Sequence, residues 1–428
     1  MDIKSCETTC TVCTVRCHRQ MSKLPTKKEA LEILFKEVKV QRKTEVIPLK
    51  NALHRVSAED TYANWDVPNA DRATHDGIAI IRSMAAEKQT HGDNLLAEGE
   101  FATVAMGNVI PNNFDTVLPW ELCKFHDDHS VSISSLPQKG EGMTRRGSNV
   151  KQGELIIKAE RRLEPSHLAI LRLCGVENIN VIKKPLVAIL PVGDDLQKPG
   201  MNPELGQTME ADSIMVESIA RLCGCETVVN DPIADSVKAI CDVVKNHLND
   251  CDIVVLIGGL GTKEAEYGAH TPEAVRTLGK VLVHGAAIGP GGKPTLLGEI
   301  GGKYVLGIPG PPHAAMMVTE QFLPPIVERF LGCPCFERVE VDAVLGEDFR
   351  PRGSSVFMPR VNLEWTGSAY ELSSLRMGDT VDCFVNGTAT IELGPSGTPR
   401  LKGETIKAQL VYGERTIRTL EAIRKDKI

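Results

Sequence analysis

Apolar positions along this chain fall into two alternating rhythms. Pro185-Leu186-Val187-Ala188-Ile189-Leu190, the run from Asp252 to Ile257, and Val305-Leu306-Gly307-Ile308 are short and continuously apolar. The first ends at Pro191-Val192-Gly193-Asp194-Asp195, the second at Gly258-Gly259-Leu260-Gly261 and the third at Pro309-Gly310-Pro311-Pro312. Helix-length segments separate them, so the pattern over residues 184 to 313 predicts strands of a parallel sheet. In such sheets a ligand sits in the crevice beyond the carboxyl ends of the strands. Asp194, Asp195 and both glycine loops fall there, and the main binding site is expected with them.

Elsewhere the pattern predicts further domains. Thr26 reads as an N-cap followed by Ala30, Leu31, Ile33, Leu34 and Val38 on a helical period, and Ala52 to Val56 as a second short helix. Short alternating runs at Phe101 to Ala105, Thr116 to Leu118 and Val131 to Ser134 predict a small β domain. Leu168, Leu171, Leu173 and Cys174 return to a helical face that stops at Gly175. Gly332-Cys333-Pro334-Cys335 reads as a linker before strands at Val339 to Val344, Thr388 to Leu393 and Thr405 to Tyr412, and the last dozen residues as a charged tail. The expected fold is α/β and multidomain. Residues 26–70 and 151–183 are expected to form a discontinuous linker domain, 71–150 an inserted β domain, 184–332 the ligand-binding α/β domain and 336–428 a carboxyl-terminal β domain.

Composition narrows the function. A chain of 428 residues is long enough for two to four domains. Its net charge of -7 gives no reason to expect nucleic acid. No run reaches the length of a membrane span and the amino terminus has no signal-peptide core, so a cytoplasmic protein is expected. Of thirteen cysteines, most read as reduced core residues. Cys6, Cys10, Cys13 and Cys17 stand apart in the extension 1–25, at a spacing that suits zinc or an iron-sulfur cluster and equally a tail with free thiols. The glycine loops can offer backbone N–H groups to an anion, and Asp194 and Asp195 can hold magnesium or cap a helix.

Taken together, these motifs resemble the molybdopterin molybdenumtransferase family, which includes MoeA and the E domain of gephyrin. The matching text runs from Asn51 to Asp60 into Asp66-Val67-Pro68, then His75-Asp76-Gly77-Ile78-Ala79, Arg146 to Gly153, Pro185 to Leu196, Gly206-Gln207-Thr208, Gly258-Gly259, Lys293-Pro294 and Gly307-Ile308-Pro309-Gly310. The resemblance implies a MogA-like three-layer α/β/α domain and a homodimer whose cleft is completed by the inserted β domain of the other subunit. It implies insertion of molybdate into adenylylated molybdopterin with magnesium-dependent release of AMP. On that basis Asp76, Asp195, Asp231 and Glu266 are the expected catalytic residues, with Asp76 and Asp195 on magnesium. Gly193, Asp194, Gly258, Gly259, Gly261, Lys293, Pro309 and Gly310 are expected to bind the pterin substrate. Other molybdenum-cofactor biosynthesis proteins or a molybdoenzyme are the implied protein partners.

The chain also departs from the family. Ser148-Asn149 replaces an acidic pair, and Leu260 to Glu266 replaces Val-Ser-Val-Gly-Glu-x-Asp, with Glu266 at its last acid. Gly289 stands where a lysine is usual, leaving Lys293 alone in that loop, and Pro311-Pro312-His313-Ala314 replaces Asn-Pro-Val-Ser. Lys263, His284 and His313 are the nearby candidates to compensate. A second reading therefore stands beside the enzyme: a binding protein that carries molybdopterin or the finished cofactor. A third is a dimeric scaffold.

Overall fold

The computed structural model describes residues 24–261, 269–336, 338–350, 355–376, 380–395, 399–411, 413 and 417. The four amino-terminal cysteines, Lys263, Glu266 and the tail after 417 lie outside them. The described residues up to Gln41, together with those from Lys184 onward, form one compact unit, and Arg42–Lys183 forms a second.

Helix α1 (Lys27–Glu37) starts at a capping box: the Thr26 hydroxyl accepts from the Glu29 N–H, and the Glu29 carboxylate accepts from the Thr26 N–H. It buries Ala30, Leu31 and Leu34 and packs on strands and a helix of the α/β domain, where the Tyr304 hydroxyl donates to Val38 O at 3.3 Å. The apolar stripe of α1 is thus covered by the unit that begins at Lys184, whereas the sequence reading grouped residues from 26 with 151–183.

In the Arg42–Lys183 unit, β1 (Thr44–Pro48) pairs with the strand Asn178–Ile182. Only a 3-10 turn, Leu49–Asn51, follows β1, and the helix expected over Ala52 to Val56 does not form. Tertiary pairing takes its backbone groups instead: His54 N–H donates to Leu163 O, Val56 O accepts from Ile182 N–H, and Val56 bridges to Arg162. Strand β2 (Gly77–Ile80) is the buried centre of a three-stranded antiparallel sheet between Phe101–Val104 and Thr116–Pro119. A helix at Arg82–Thr90, absent from the sequence reading, packs beside it with Ala85 in the same core. The expected helix before Gly175 is present at Pro165–Leu173.

The α/β domain carries a six-stranded sheet. Its strands are β3 (Leu186–Pro191), β4 (Glu226–Val229), β5 (Ile253–Ile257), β6 (Lys280–His284), β7 (Leu296–Ile300) and β8 (Lys303–Ile308), in the order β4-β3-β5-β8-β7-β6. The first four in that order are parallel, and β7 and β6 are antiparallel additions. The three runs read from the sequence are therefore neighbours, as a ligand crevice at their ends requires. All five residues of β5 are buried, because parallel strands are covered on both faces. Helices α2 (Asp212–Leu222) and α3 (Pro312–Leu331) pack together, as do α4 (Val237–His247) and α5 (His270–Leu278). Ala188, Leu190, Val254 and Leu256 share a core with Ile240 and Val244 of α4 and Val275 of α5. Helices on both faces of the sheet make a three-layer α/β/α arrangement. Beyond it, Glu340–Leu345, Arg360–Trp365, Tyr370–Ser374, Ala389–Ile391 and Thr405–Leu410 close a small barrel. Among the described residues no helix is long and apolar enough to cross a membrane.

Candidate active site

A cavity of about 630 Å³ opens at the carboxyl edge of the parallel strands. Its wall is built by three loops. After β3, Val192 N–H donates to Ile257 O and Gly193 N–H to Ile233 O, which carries Asp194 and Asp195 to the rim. After β5 come Gly258 and Gly259, with φ of +92° and +62°. A Cβ on Gly258 would stand 2.5 Å from Val192 O, so only glycine lets these two loops meet. After β8, Gly310, Pro311 and Pro312 complete the wall, and Gly258 N–H donates to Ile308 O at 2.9 Å.

A fourth wall arises from the segment before α2. Leu196–Gln197 pairs in parallel with Thr208–Met209, and Asp195 O accepts from Thr208 N–H at 2.8 Å. This brings Glu210 and Asp212 to the cavity. The Glu210 carboxylate accepts from the Ser213 N–H at 2.8 Å and from its hydroxyl. Burial, and then the neighbouring Glu210 carboxylate, push Asp212 up to about 7. Asp235 joins from the loop before α4, and its N–H donates to Asp194 Oδ1 at 3.0 Å. Asp194, expected to bind the pterin substrate, is thus engaged in holding a neighbouring loop.

The sequence-derived residues divide accordingly. Gly193, Asp194, Asp195, Gly258, Gly259 and Gly310 line the cavity, with Pro311 and Pro312 rather than Pro309 beside them. Asp231 is outside its lining and faces Lys198 Nζ at 3.1 Å, an exposed pair. Lys293 is exposed and, like Gly261, is not part of the lining. Asp76 belongs to the other unit, where its Oδ1 accepts from the Met106 N–H at 2.7 Å. Glu210, Asp212 and Asp235 were missed. Their only local signal is an acid at the start of a helix, a position equally suited to plain capping.

Among the described residues the cavity is lined by five carboxylates, Asp194, Asp195, Glu210, Asp212 and Asp235, and by no lysine or arginine. An anionic ligand needs that charge offset. Hard oxygen donors suit magnesium, which takes one or two carboxylates and completes its shell with water and substrate phosphate oxygens. Among the described residues no three His, Cys, Asp or Glu side chains converge as a metal site.

Parallel strands ending in glycine loops, an acid-lined cavity and a small barrel define a multidomain α/β protein with a carboxylate-lined crevice at its sheet edge. Residues 26–175 match the family model "MoeA N-terminal region (domain I and II)" and residues 188–329 match "Probable molybdopterin binding domain". The chain belongs to the MoeA family. It is 28% identical over 320 residues to the molybdopterin molybdenumtransferase of Staphylococcus aureus (strain COL), covering 71% of this chain and 75% of that one. The enzyme of the same name from Haemophilus influenzae is 24% identical over 315 residues, covering 71% and 77%. The crystal structure of the molybdopterin biosynthesis MoeA protein from Pyrococcus horikoshii superposes with a TM-score of 0.79 at 25% identity, covering 91% of this chain and all of that one.

Proposed function

We propose that this protein is a transferase of molybdenum cofactor biosynthesis, inserting molybdate into adenylylated molybdopterin with release of AMP. The observation that carries the reading is the cavity at the strand ends, whose three loops lie within the segment that matches the molybdopterin binding domain. Backbone N–H groups of the glycine loops bind phosphate oxygens, apart from those of Gly193 and Gly258, which donate to Ile233 O and Ile308 O. Asp195 holds magnesium, which supplies charge neutralisation of the phosphates when bound. The resemblance assigns Asp76 to the same chemistry, in a homodimer.

Incubation of the purified protein with adenylylated molybdopterin, molybdate and magnesium is expected to release AMP, and EDTA is expected to stop it reversibly. A carrier of molybdopterin is the second reading. It draws support from the loop Gly285 to Lys293, where Lys293 is the sole lysine. Tight pterin binding with no AMP above background establishes the carrier.

A further inference from the structure

Beside the cavity lies a histidine that neither the motifs nor the family resemblance singled out. His270 is the first residue of α5, and its Nδ1 lies 3.1 Å from Asp235 Oδ1. Asp235 lines the cavity and is itself fixed by the bond from its N–H to Asp194 Oδ1. The next residue, Thr271, is tied to the glycine turn twice: its N–H donates to Gly259 O at 3.0 Å, and its hydroxyl donates to Gly258 O at 2.9 Å. A Cβ placed on Gly259 would meet Thr271 Oγ1 at 2.7 Å and Asp235 Oδ1 at 3.0 Å. The histidine, its carboxylate partner and the glycine turn thus form one packed constellation, anchored at both ends to loops that build the cavity.

An imidazole whose Nδ1–H donates to a held carboxylate has its tautomer fixed, with a lone pair on Nε2. Nε2 of His270 makes no hydrogen bond among the described residues, and 39% of the side chain is open to solvent. We propose that His270, oriented by Asp235, is the proton acceptor for the water that cleaves the phosphoanhydride of the adenylylated substrate. The inference rests on the transferase reading above. In the step, the water oxygen forms a new P–O bond to one phosphorus. The anhydride P–O bond breaks, with its electron pair leaving on the departing phosphate. The water proton passes to His270 Nε2, and the Asp235 carboxylate offsets the imidazolium charge. Water is the only co-reactant, and nothing is oxidised or reduced.

The experiment follows AMP release by the full-length protein and by His270→Ala and Asp235→Asn, with circular dichroism and pterin-nucleotide binding measured on each. General-base catalysis contributes about 10²–10⁴-fold. His270→Ala is therefore expected to lose about that much kcat with KM changed less than about threefold. Added imidazole is expected to restore at least about tenfold of the loss, because the vacated position is solvent-accessible and free base can occupy it. Asp235→Asn is expected to lose at least about tenfold in kcat while keeping its fold. A purely structural role would show no imidazole rescue and would lower binding together with turnover, and that result overturns the inference. So does wild-type kcat in His270→Ala together with loss of turnover in Asp212→Asn, which would make Asp212 the acceptor. Failure of the transferase reading is seen separately, as absence of AMP release from the wild-type protein itself.

Discussion

At the scale of single residues, the cavity is governed by carboxylates placed where their charges repel. Asp212 has its proton affinity raised to about 7 by burial and by Glu210, against an ordinary value of 3.8. Between those limits the folded state binds the proton and the unfolded state does not, so stability falls as pH rises from about 4 to about 7 and is then flat. Asp212→Asn is expected to remove that slope and to raise the Tm at pH 8 by roughly 2–4 °C for each kcal/mol relieved. Thermal unfolding of both proteins across pH 5 to 8 checks this, and equal slopes count against a buried, proton-hungry Asp212. Asp195 behaves differently, since its backbone carbonyl takes the loop contact and its side chain is exposed at the cavity. Asp195→Ala is expected to lower AMP release by at least about a hundredfold with Tm within about 2 °C, because surface substitutions away from packed features stay within about 0.5 kcal/mol.

At the scale of elements, α3 joins the cavity to the barrel. It starts at the cavity with Pro312 and carries Glu320 two turns on, where one carboxylate oxygen accepts from Arg360 Nη2 at 2.6 Å and from Arg338 Nη2 at 2.5 Å. The Arg360 side chain is only 4% exposed and also donates to Thr390 Oγ1 at 2.7 Å. Removing one partner of a buried ion pair costs about 3–5 kcal/mol, because the other charge is left uncompensated. Glu320→Ala is expected to show a loss of that size in denaturant unfolding, and a change below about 1 kcal/mol would show that Arg360 finds another acceptor. The pair was not legible in the sequence. Glu320 and Arg360 are forty positions apart and lie on elements of different period, so no local pattern links them.

At the scale of the whole molecule, two compact units give two separable responses to mutation. Leu34 of α1 is fully buried against the unit that begins at Lys184. Leu34→Ala is expected to cost about 2–5 kcal/mol in that unit alone. Scanning calorimetry should show one transition moving down by several degrees while the transition of the Arg42–Lys183 unit stays in place. Movement of both together would mean that the units unfold as one.

What the sequence determined by itself was whatever is written locally. Continuous apolar runs ending in glycine were enough to set the three central strands, since burial on two faces demands them, and after the second run the turn demands positive φ at Gly258 and Gly259. The capping box set the start of α1, and ordered motifs set the family. The tertiary structure decided what depends on distant pairing. Backbone bonds to Leu163 and Ile182 overrode the helical period of Ala52 to Val56, and the cover of α1 was chosen by the sheet it packs on. The cavity's chemistry belongs there too: Glu210, Asp212, Asp235 and His270 come from three separate helix starts and loops. Isolated acids and a lone histidine carry no pattern of their own. They come together only because a parallel sheet brings the ends of its strands to a single edge.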